Sequence, residues 1–559
     1  KDKVMQIIIP MSGFGERFRT AGYAVPKFLI EVDGKPIIQH VIEMFPGEEK
    51  IIFICNENHL QESEFKMKKI LSTICPTGKI LGIPEHKLGP VYTVLQAIDV
   101  VEMDEPTIVN YCDFTCYWDF DHFKKFVNTT KCEGSVPSYR GFHPHTLWNN
   151  NYAYIREKDS RVLDIQEKRP FTKHPNNEFA SSGTYYFRSG RIMKDYFQRC
   201  IDEKLMVGEE YYVSMPYKLM IEDGLNILVY ELNYFMQWGT PQDLQDYLYW
   251  SSIFCKIIEG KDTPFHKGSL LFPMVGEGSR FSEGGYKTPK PLISVGGKPM
   301  AVQAMSDLPR TESQTFVLRE DLKDLEKLTN KLSKSSENPH FHILKSLTDG
   351  QATTCIEGSK NIDKNSQVTI AACDNGMVYD SKLFDEMIND DSVDVIVWAA
   401  RGYPGAIRSP ENYGWIDVDD DGYIRTVSVK RPLSDPNSDP IIVGAFTFKS
   451  LGDFVSAVDH MKSREARVNG EYYIDMAIND AIQMGRRCKI FEIERYICWG
   501  TPEDLETYEY WQSCFHKWSS HKYRLENDPY IEPGSLHILK KFYEKKWKNR
   551  NIHLSETHS

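Results

Sequence analysis

The sequence of 559 residues lacks any apolar run of about 18 residues, the length that a membrane-spanning helix needs. It also lacks a surplus of positive charge: 79 acidic and 67 basic residues give a net charge of −12, so nucleic acid is not an expected partner. Its 12 cysteines show no CxxC or CxxH spacing, which argues against a zinc site and favours a reducing compartment. No signal peptide opens the sequence, so we expect a cytoplasmic protein.

Two familiar phosphate-binding loops are missing as well. A Walker loop needs Gly-Lys-Ser or Gly-Lys-Thr, and neither tripeptide occurs. A Rossmann fingerprint needs a third glycine, but Gly13-Phe14-Gly15-Glu16-Arg17 is followed by Phe18. The glycine-rich segment therefore predicts a phosphate-binding loop of another type.

The same pattern occurs twice in the sequence. Four residues of the glycine-rich segment recur 263 positions later: Gly13, Gly15, Arg17 and Lys27 correspond to Gly276, Gly278, Arg280 and Lys290. Towards the end of each half, WGTPQDLQDYLYW and WGTPEDLETYEYW lie 261 positions apart. Such a steady offset indicates a tandem duplication of a whole domain. We predict a first domain over residues 1–255, a linker over 256–268, a second domain over 269–515 and a tail rich in basic and aromatic residues over 516–559.

Each half alternates strand-like and helix-like segments. MQIIIP, KIIFIC, TIVNYCD and ASSGTYYF are typical of short strands, whereas QHVIEMF, GPVYTVLQAIDVV and QDLQDYLYWSSIF carry apolar residues at helical spacing. This alternation predicts an α/β sandwich around a mostly parallel sheet. Ligands of such sheets lie beyond the carboxyl ends of the strands, where the first glycine loop follows Pro10. Bare backbone N–H groups there, with Arg17 and Lys27 nearby, would suit phosphate.

The pattern GxGxRF…PKxL…(D/G)GKP resembles the nucleotidylyltransferases that activate sugar 1-phosphates and phosphorylated alcohols for surface polysaccharides. The resemblance covers about residues 4–254 and 267–515. It implies two tandem Rossmann-like domains of the GT-A type, each with a mixed, mostly parallel sheet flanked by helices. It also implies Mg²⁺ as cofactor and, as partners, a nucleoside triphosphate (CTP, UTP or dTTP favoured) and a phosphorylated acceptor, for capsule synthesis. The sequence leaves open whether the protein is bifunctional and whether it forms a homo-oligomer.

By this resemblance, a nucleotide would be held by residues of both halves: Met11, Ser12, Gly13, Gly15 and Gly89 in the first, and Met274, Gly276, Gly278 and Gly350 in the second. The implied catalytic residues are cationic: Arg17, Lys27 and Lys168, with Arg280, Lys290 and Lys430. The implied metal ligands are Asp113 and Asp374. The acceptor would contact His143, His145, Gly183 and Glu210, or Gly444 and Glu471.

The sequence departs from the family pattern at a second metal position, where relatives carry Asp or Asn. Gln237 stands there in the first half and Cys498 in the second, and a thiol suits Mg²⁺ poorly. In the second half, Val429 also replaces the glutamate before the lysine. Two active sites, one active half with a degenerate regulatory half, and a glycosyltransferase of the GT-A type are therefore alternatives. The last is disfavoured because neither Asp113 nor Asp374 begins an Asp-x-Asp motif.

Overall fold

The computed structural model describes residues 4–48 and 50–546. The chain divides into two units. Of the described residues, the first unit contains 4–48, 50–251, 517–521 and 543–546, and the second contains 252–516 and 522–542. The predicted domain limits at residues 255 and 515 stay predictions. No helix of the described part combines the length and apolar character that a membrane crossing needs.

The central strand of the first unit illustrates why the chain folds as an α/β sheet. Strand β1 has the sequence QIIIPM and is buried along its whole length, as expected for a strand covered on both faces. Ile8 pairs in parallel with Ile52 on one side and with Val109 on the other. The strands of this unit are β1 (Gln6–Met11), β2 (Glu31–Val32), β3 (Lys35–Pro36), β4 (Lys50–Asn56), β5 (Lys79–Ile83), β6 (Thr107–Asn110), β7 (Phe114–Tyr117), β8 (Gly134–Tyr139), β9 (Ala153–Lys158), β10 (Arg161–Glu167), β11 (Phe179–Ser181), β12 (Thr184–Phe187), β13 (Ile227–Glu231) and β14 (Tyr234–Gln237).

Helices connect these strands and pack apolar faces on the sheet. Val91 and Val94 of one helix and Met193 and Phe197 of another lie in the same buried cluster as Ile8. The helices are α1 (Glu16–Thr20), α2 (Ile37–Ile42), α3 (Glu57–Gln61), α4 (Met67–Ile74), α5 (Pro90–Gln96), α6 (Phe120–Thr130), α7 (Gly190–Asp202), α8 (Ser214–Glu222) and α9 (Pro241–Ile257), with short 3₁₀ turns at Lys27–Leu29, Ile98–Val100, Pro144–Leu147 and Pro175–Asn177.

The second unit is built in the same way around a second sheet. Leu271, Ile370 and Phe446 lie at the centre of its core. Its strands are β15 (Phe265–Pro273), β16 (Ser294–Val295), β17 (Lys298–Pro299), β18 (Arg310–Arg319), β19 (Pro339–Leu344), β20 (Val368–Ala371), β21 (Asn375–Val378), β22 (Val395–Ala400), β23 (Gly414–Val418), β24 (Ile424–Val429), β25 (Ile441–Phe448), β26 (Cys488–Glu492) and β27 (Arg495–Cys498).

The remaining helices follow from residue 279 to residue 546. They are α10 (Ser279–Glu283), α11 (Met300–Asp307), α12 (Leu325–Ser335), α13 (Gln351–Gly358), α14 (Ser381–Ile388), α15 (Pro404–Arg408), α16 (Leu451–Ser463), α17 (Ile474–Gln483), α18 (Pro502–Lys517) and α19 (Leu536–Lys546), with 3₁₀ turns at Lys290–Leu292, Pro410–Asn412, Leu525–Asn527 and Pro533–Ser535.

Both main sheets share one strand order. The first contains β13-β8-β12-β6-β1-β4-β5 and the second β26-β22-β25-β20-β15-β18-β19. In the first, β12 runs against its neighbours while β5, β4, β1, β6, β8 and β13 point the same way; β25 is the reversed strand of the second. The first sheet is extended by β10, β9 and β11; in the second, β23 pairs with β25 and β24 pairs with β23. The expectation of mixed, mostly parallel sheets is confirmed.

Part of the predicted tail is packed rather than loose. Within the first unit, the ring of Trp518 lies 5.6 Å from that of His40 and 6.3 Å from that of Trp238. Within the second unit, Tyr523 is fully buried and its hydroxyl donates a hydrogen bond to Asp528 at 2.6 Å. The tail residues beyond 546 lie outside the described residues.

Candidate functional site

A cavity of about 740 Å³ opens in the first unit where β1, β6 and β10 end. Ten of the first-half residues singled out from the sequence line it: Met11, Ser12, Gly13, Gly15, Arg17, Lys27, Gly89, Asp113, Lys168 and Glu210. They come from positions up to about 200 residues apart in sequence, and the carboxyl ends of neighbouring strands bring them together. The cavity is the candidate site.

The glycine loop after β1 needs its second glycine because the lysine stem crosses it. Gly15 has a φ of 91°, and a β-carbon there would lie 3.1 Å from Cδ of Lys27. Gly278 repeats this arrangement, with a φ of 62° and 3.2 Å to Cβ of Lys290. By contrast, a β-carbon on Gly13 or Gly276 would meet nothing within 4 Å. The backbone at these two glycines is therefore open to a ligand.

The lysine that follows the loop is paired with the predicted metal ligand. Lys27 Nζ donates to Asp113 Oδ2 at 2.7 Å, and Lys290 Nζ donates to Asp374 Oδ2 at 2.5 Å. Burial alone would lower the pKa of each lysine, but the facing carboxylate outweighs it and the pKa is raised. Burial alone would also raise the pKa of Asp374, but Lys290 lowers it. The Lys290–Asp374 pair therefore remains charged at neutral pH.

Arg17 supplies a second, unneutralised cation to the cavity. Its side chain is exposed, and within residues 4–48 and 50–546 no hydrogen bond or ion pair engages its guanidinium group. Its charge also acts on Asp243, a buried residue of the cavity wall. Burial, with help from Asp246, raises the pKa of Asp243 to about 7 although Thr240 and Arg17 lower it. Arg280, the counterpart in the second unit, is likewise exposed.

Two oxygen donors converge beside Gly239. A β-carbon on Gly239 would lie 3.1 Å from Asp113 Oδ2 and 3.3 Å from Gln237 Oε1, so the missing side chain leaves a space between them. A carboxylate and a neutral amide oxygen fit the hard-oxygen preference of Mg²⁺. Among the described residues no three His, Cys, Asp or Glu side chains meet at one point that could hold a metal. An ion here would therefore need further oxygens from a ligand.

The second unit replaces one of these oxygens by sulfur. A β-carbon on Gly500 would lie 3.2 Å from Asp374 Oδ2 and 3.3 Å from Cys498 Sγ. The thiol donates to Asp504 Oδ2 at 3.4 Å and accepts from the Gly500 N–H at 3.3 Å. Burial raises the pKa of Cys498 well above its usual value, so the group is a neutral thiol and a poor Mg²⁺ ligand.

The third cation that lines the cavity, Lys168, has a strained backbone conformation. Its φ is 57°, and the φ of Lys430 is 59°, a region that residues with side chains seldom adopt. Lys168 Nζ donates to the Tyr212 hydroxyl at 2.7 Å, and that hydroxyl donates to Glu210 Oε2 at 2.5 Å. The recurrence of a strained lysine in both units is typical of a functional position.

Gly89 and Gly350 are explained by a neighbouring segment rather than by a ligand. A β-carbon on Gly89 would lie 2.9 Å from both the backbone nitrogen and oxygen of Tyr211, and Gly350 meets the backbone of Tyr472 even more closely. Packing against these backbone segments is therefore enough to require glycine at both positions. Gly89 still lines the cavity.

Three of the predicted acceptor residues in the first unit are not among those that line the cavity. His143 and His145 are buried and pack on Tyr139, with ring centroids 4.8 and 5.0 Å from its ring. Burial lowers the pKa of His143 to about 3, so it is neutral at pH 7. Gly183 and Gly444 accept hydrogen bonds from the N–H groups of Tyr111 and Ala372, beneath the turns that carry the metal aspartates. His143, His145 and Gly183 therefore do not line the cavity, and Gly444 belongs to the second unit; the contact of these residues with an acceptor stays a prediction.

Three further residues singled out from the sequence are Met11, Met274 and Glu471. Met11 and Met274 are buried, and Met11 contributes to the lining of the cavity. Glu471 is exposed and raises the pKa of Tyr473, although burial contributes more. The sequence analysis missed Tyr111, Glu167, Tyr212 and Asp243, which also line the cavity. Asp243 lies in the repeated WGTPQDLQDYLYW segment, where it is the third residue of α9 and exchanges hydrogen bonds with Thr240 in a helix-capping pattern.

A known protein family matches most of the first half of the chain. The family model described as Nucleotidyl transferase matches residues 6–212, and the match does not extend into the second half. A curated relative, the bifunctional protein GlmU of Methanocaldococcus jannaschii, is 26% identical over 184 residues. That alignment covers 33% of this chain and only 40% of the relative.

Similar solved structures cover less than half of the chain. A nucleoside-diphosphate-sugar pyrophosphorylase from Vibrio cholerae RC9 is 20% identical, with a TM-score of 0.36, covering 44% of this chain and 99% of its own. The inositol-1-phosphate CTP transferase from T. maritima is 17% identical, with a TM-score of 0.36, covering 47% of this chain and 99% of its own.

Proposed function

We propose that the first unit transfers a nucleotidyl group from a nucleoside triphosphate to a phosphorylated sugar or alcohol and releases pyrophosphate. The observation that carries this proposal is that one cavity is lined by an open glycine loop, the cations Arg17, Lys27 and Lys168, and the carboxylate of Asp113. Two phosphorylated substrates need several cations, and these residues would supply them. The family match of residues 6–212 supports the same reaction class.

In this reaction a phosphate oxygen of the acceptor forms a bond to the α-phosphorus of the triphosphate. The bond from that phosphorus to the bridging oxygen of the β-phosphate breaks, and pyrophosphate leaves with the electron pair. No proton transfer to carbon and no redox step is needed, so positioning and charge neutralisation carry the catalysis. The glycine loop and Arg17 would hold the leaving pyrophosphate, Lys27 the α-phosphate and Lys168 the acceptor phosphate.

The donors beside Gly239 fit Mg²⁺, and Asp113 with Gln237 would hold it. When bound, the ion neutralises phosphate charge. Before it binds, Lys27 keeps the Asp113 carboxylate paired, so the half-buried charge is never left alone.

We propose the same reaction for the second unit, because Arg280, Lys290, Asp374 and Lys430 repeat the arrangement of the first. A regulatory role for this unit is the second candidate, and the neutral thiol of Cys498 at the position of Gln237 favours it. A pyrimidine nucleotide and a product used for a surface glycan are finer proposals, which follow from the sequence resemblance.

The experiment is a panel of ATP, GTP, CTP, UTP and dTTP against phosphorylated sugars, polyols and amino alcohols, with Mg²⁺ present and pyrophosphate as the readout. We expect at least one pair of a triphosphate and an acceptor to release pyrophosphate, and neither member of such a pair to do so alone. A full-length chain that releases none with any pair would contradict the proposal. A glycosyltransferase would need a nucleotide-sugar donor in place of the triphosphate, so release of a nucleoside diphosphate from such a donor in a parallel assay would indicate that class.

A further inference from the structure

Three neighbouring positions change together between the two units. Ala153, Glu167 and Ser214 of the first unit correspond to Gly414, Val429 and Asp475 of the second, at offsets of 261, 262 and 261. The carboxylate on the strand is lost at one of these positions, and a carboxylate appears on the helix at another.

In the first unit the carboxylate comes from the strand. Glu167 ends β10, pairs across the sheet with Ala153 and lies next to Lys168 in the cavity wall. Ser214, the first residue of α8, donates a hydrogen bond to Glu167 Oε2 at 2.7 Å. The side chains of directly paired antiparallel residues point to the same face of a sheet, so Glu167 and Ala153 share one face, against which Ser214 packs.

In the second unit the same place is filled from the helix. Val429 ends β24 and pairs with Gly414 in the same register. A β-carbon on Gly414 would collide with Oδ2 of Asp475, which lies on α17. The glycine therefore makes room for the Asp475 carboxylate on the face where the first unit has its glutamate. An alanine at this position, as in the first unit, would not fit.

Besides burial, each carboxylate raises the pKa of the equivalent tyrosine in its own unit. The acceptor-side lysines lie over equivalent tyrosine rings, Lys168 Nζ 4.6 Å from the centroid of Tyr212 and Lys430 Nζ 5.4 Å from that of Tyr473. Behind burial and the adjacent glutamates, Glu167 contributes to raising the pKa of Tyr212 and Asp475 to raising that of Tyr473. The two carboxylates thus occupy comparable places beside the two lysines.

We propose that Asp475 is the acceptor-binding carboxylate of the second unit, relocated from strand to helix, and that it receives a hydroxyl or ammonium donor of a phosphorylated acceptor whose phosphate lies on Lys430. This proposal deepens the function proposed above and rests on it. The second unit then has a complete acceptor pocket in spite of Val429. Because the carboxylate now approaches from α17 on a shorter side chain, the pocket would select a different acceptor from that of the first unit.

A first test needs no ligand. Gly414→Ala alone should lower the thermal unfolding midpoint of the full chain, because the new methyl group meets the Asp475 carboxylate. Adding Asp475→Ser should restore most of the loss. If Gly414→Ala is as stable as the parent, or if Asp475→Ser restores nothing, the carboxylate does not lie where we place it and the proposal is overturned.

A second test measures acceptor use in the full chain with the first unit disabled by Asp113→Ala. Glucose 1-phosphate, inositol 1-phosphate and phosphoethanolamine serve as probes. Asp475→Ser should raise the acceptor KM about 10- to 100-fold, as expected for loss of a charged hydrogen bond, with kcat much less affected. The triple variant Gly414→Ala, Val429→Glu, Asp475→Ser, which reproduces the first unit's arrangement, should recover most of that loss.

The outcomes separate this proposal from the function it rests on. If the Asp113→Ala background releases no pyrophosphate, the proposed activity of the second unit fails, and the relocation is then decided by calorimetric binding of the same probes. A dissociation constant unchanged by Asp475→Ser, or no binding of any probe by the parent, would overturn the relocation. A KM unchanged by Asp475→Ser in an active background would overturn it as well.

Discussion

Lys27 and Asp113 lie 86 residues apart in sequence, yet the ammonium nitrogen of one is 2.7 Å from Oδ2 of the other. Lys290 and Asp374 repeat this contact at 2.5 Å. Each pair lies beside a glycine loop, and the aliphatic part of the lysine side chain packs against the second glycine of that loop. In the free protein the lysine ammonium and the aspartate carboxylate neutralise each other. When a ligand binds, the ammonium can contact its phosphate and the carboxylate can contact a metal ion.

Removing the lysine should remove catalysis more than binding. Lys27→Ala is expected to lower kcat of the first unit by about 10²- to 10³-fold, because the group would stabilise charge that develops on the α-phosphate. The assay is pyrophosphate release in a chain whose second unit is disabled by Asp374→Ala. Lys124→Ala, which alters an ion pair with Glu48 elsewhere in the unit, is the matched control and should keep its rate. A Lys27→Ala enzyme with normal kcat would contradict this role.

The thiol of Cys498 should make the second unit bind Mg²⁺ more weakly than the first unit, where Gln237 offers an amide oxygen at the same position. We expect Gln237→Cys to raise the Mg²⁺ concentration for half-maximal activity of the first unit by about 10-fold, since a thiol is a poor ligand for a hard ion. The reciprocal Cys498→Gln should lower that concentration for the second unit. Titrating Mg²⁺ against pyrophosphate release gives both values. Opposite or absent shifts in the two variants would argue against a metal beside Gly239 and Gly500.

The raised pKa of Asp243 predicts that this residue makes the protein less stable as the pH rises. An aspartate whose pKa is lowered on folding has the opposite effect. The pKa of Asp243 is raised from 3.8 to about 7, chiefly by burial, so the folded state binds the extra proton between these values. The free energy of unfolding must therefore fall as the pH rises from about 4 to 7, by up to about 4 kcal/mol from this group. Asp243→Asn removes the titration and should flatten the change in the thermal unfolding midpoint between pH 5 and pH 8. An equally steep change in the variant would show that another group is responsible.

Two glycines of the same cavity should respond differently to alanine. Gly89→Ala places a methyl group 2.9 Å from the backbone of Tyr211 at a φ of 89° and should cost about 3 kcal/mol of stability. Gly13→Ala meets nothing within 4 Å and should leave stability unchanged while raising the KM for the triphosphate. Thermal unfolding and substrate titration on both variants check this contrast. A destabilised Gly13→Ala with unaltered KM would mean that the open loop is not a phosphate site.

His145 should matter for folding and not for the acceptor. Its Nε2 lies 3.0 Å from the buried Tyr139 hydroxyl, and burial lowers its pKa well below the usual value. His145→Phe should therefore cost about 1–2 kcal/mol of stability and leave the acceptor KM within about twofold. Exposed Lys168 is the counterpart: Lys168→Ala should keep stability and raise that KM. A large rise of KM in His145→Phe alone would restore the role first expected from the sequence.

The sequence predicted those parts of the fold that depend on local pattern. MQIIIP and KIIFIC are strands β1 and β4, and QDLQDYLYWSSIF lies in α9. ASSGTYYF forms two strands rather than one, because the chain turns at Gly183, whose φ is 106°. A glycine inside a strand pattern is compatible with a bulge as well as with a break, and the pattern alone does not distinguish them.

The residues of the site that recur at fixed spacing were predictable, and those that depend on packing were not. Arg17, Lys27 and Asp113 line the cavity as expected. The burial of His145 depends on Tyr139 and Phe235, which no local pattern connects to it. The sequence alone does not connect Glu167 with Asp475. The change from Glu167 to Val429 looks like the loss of a functional residue, and the change from Ser214 to Asp475 looks like a neutral substitution.

The most direct test of the account is pyrophosphate release by the full chain and by Asp113→Ala, Asp374→Ala and the double variant, with the best triphosphate and acceptor found for each unit. The account predicts that each single variant loses one acceptor activity and keeps the other, and that the double variant releases no pyrophosphate. A double variant as active as the parent, or a parent that releases none with any pair, would contradict it.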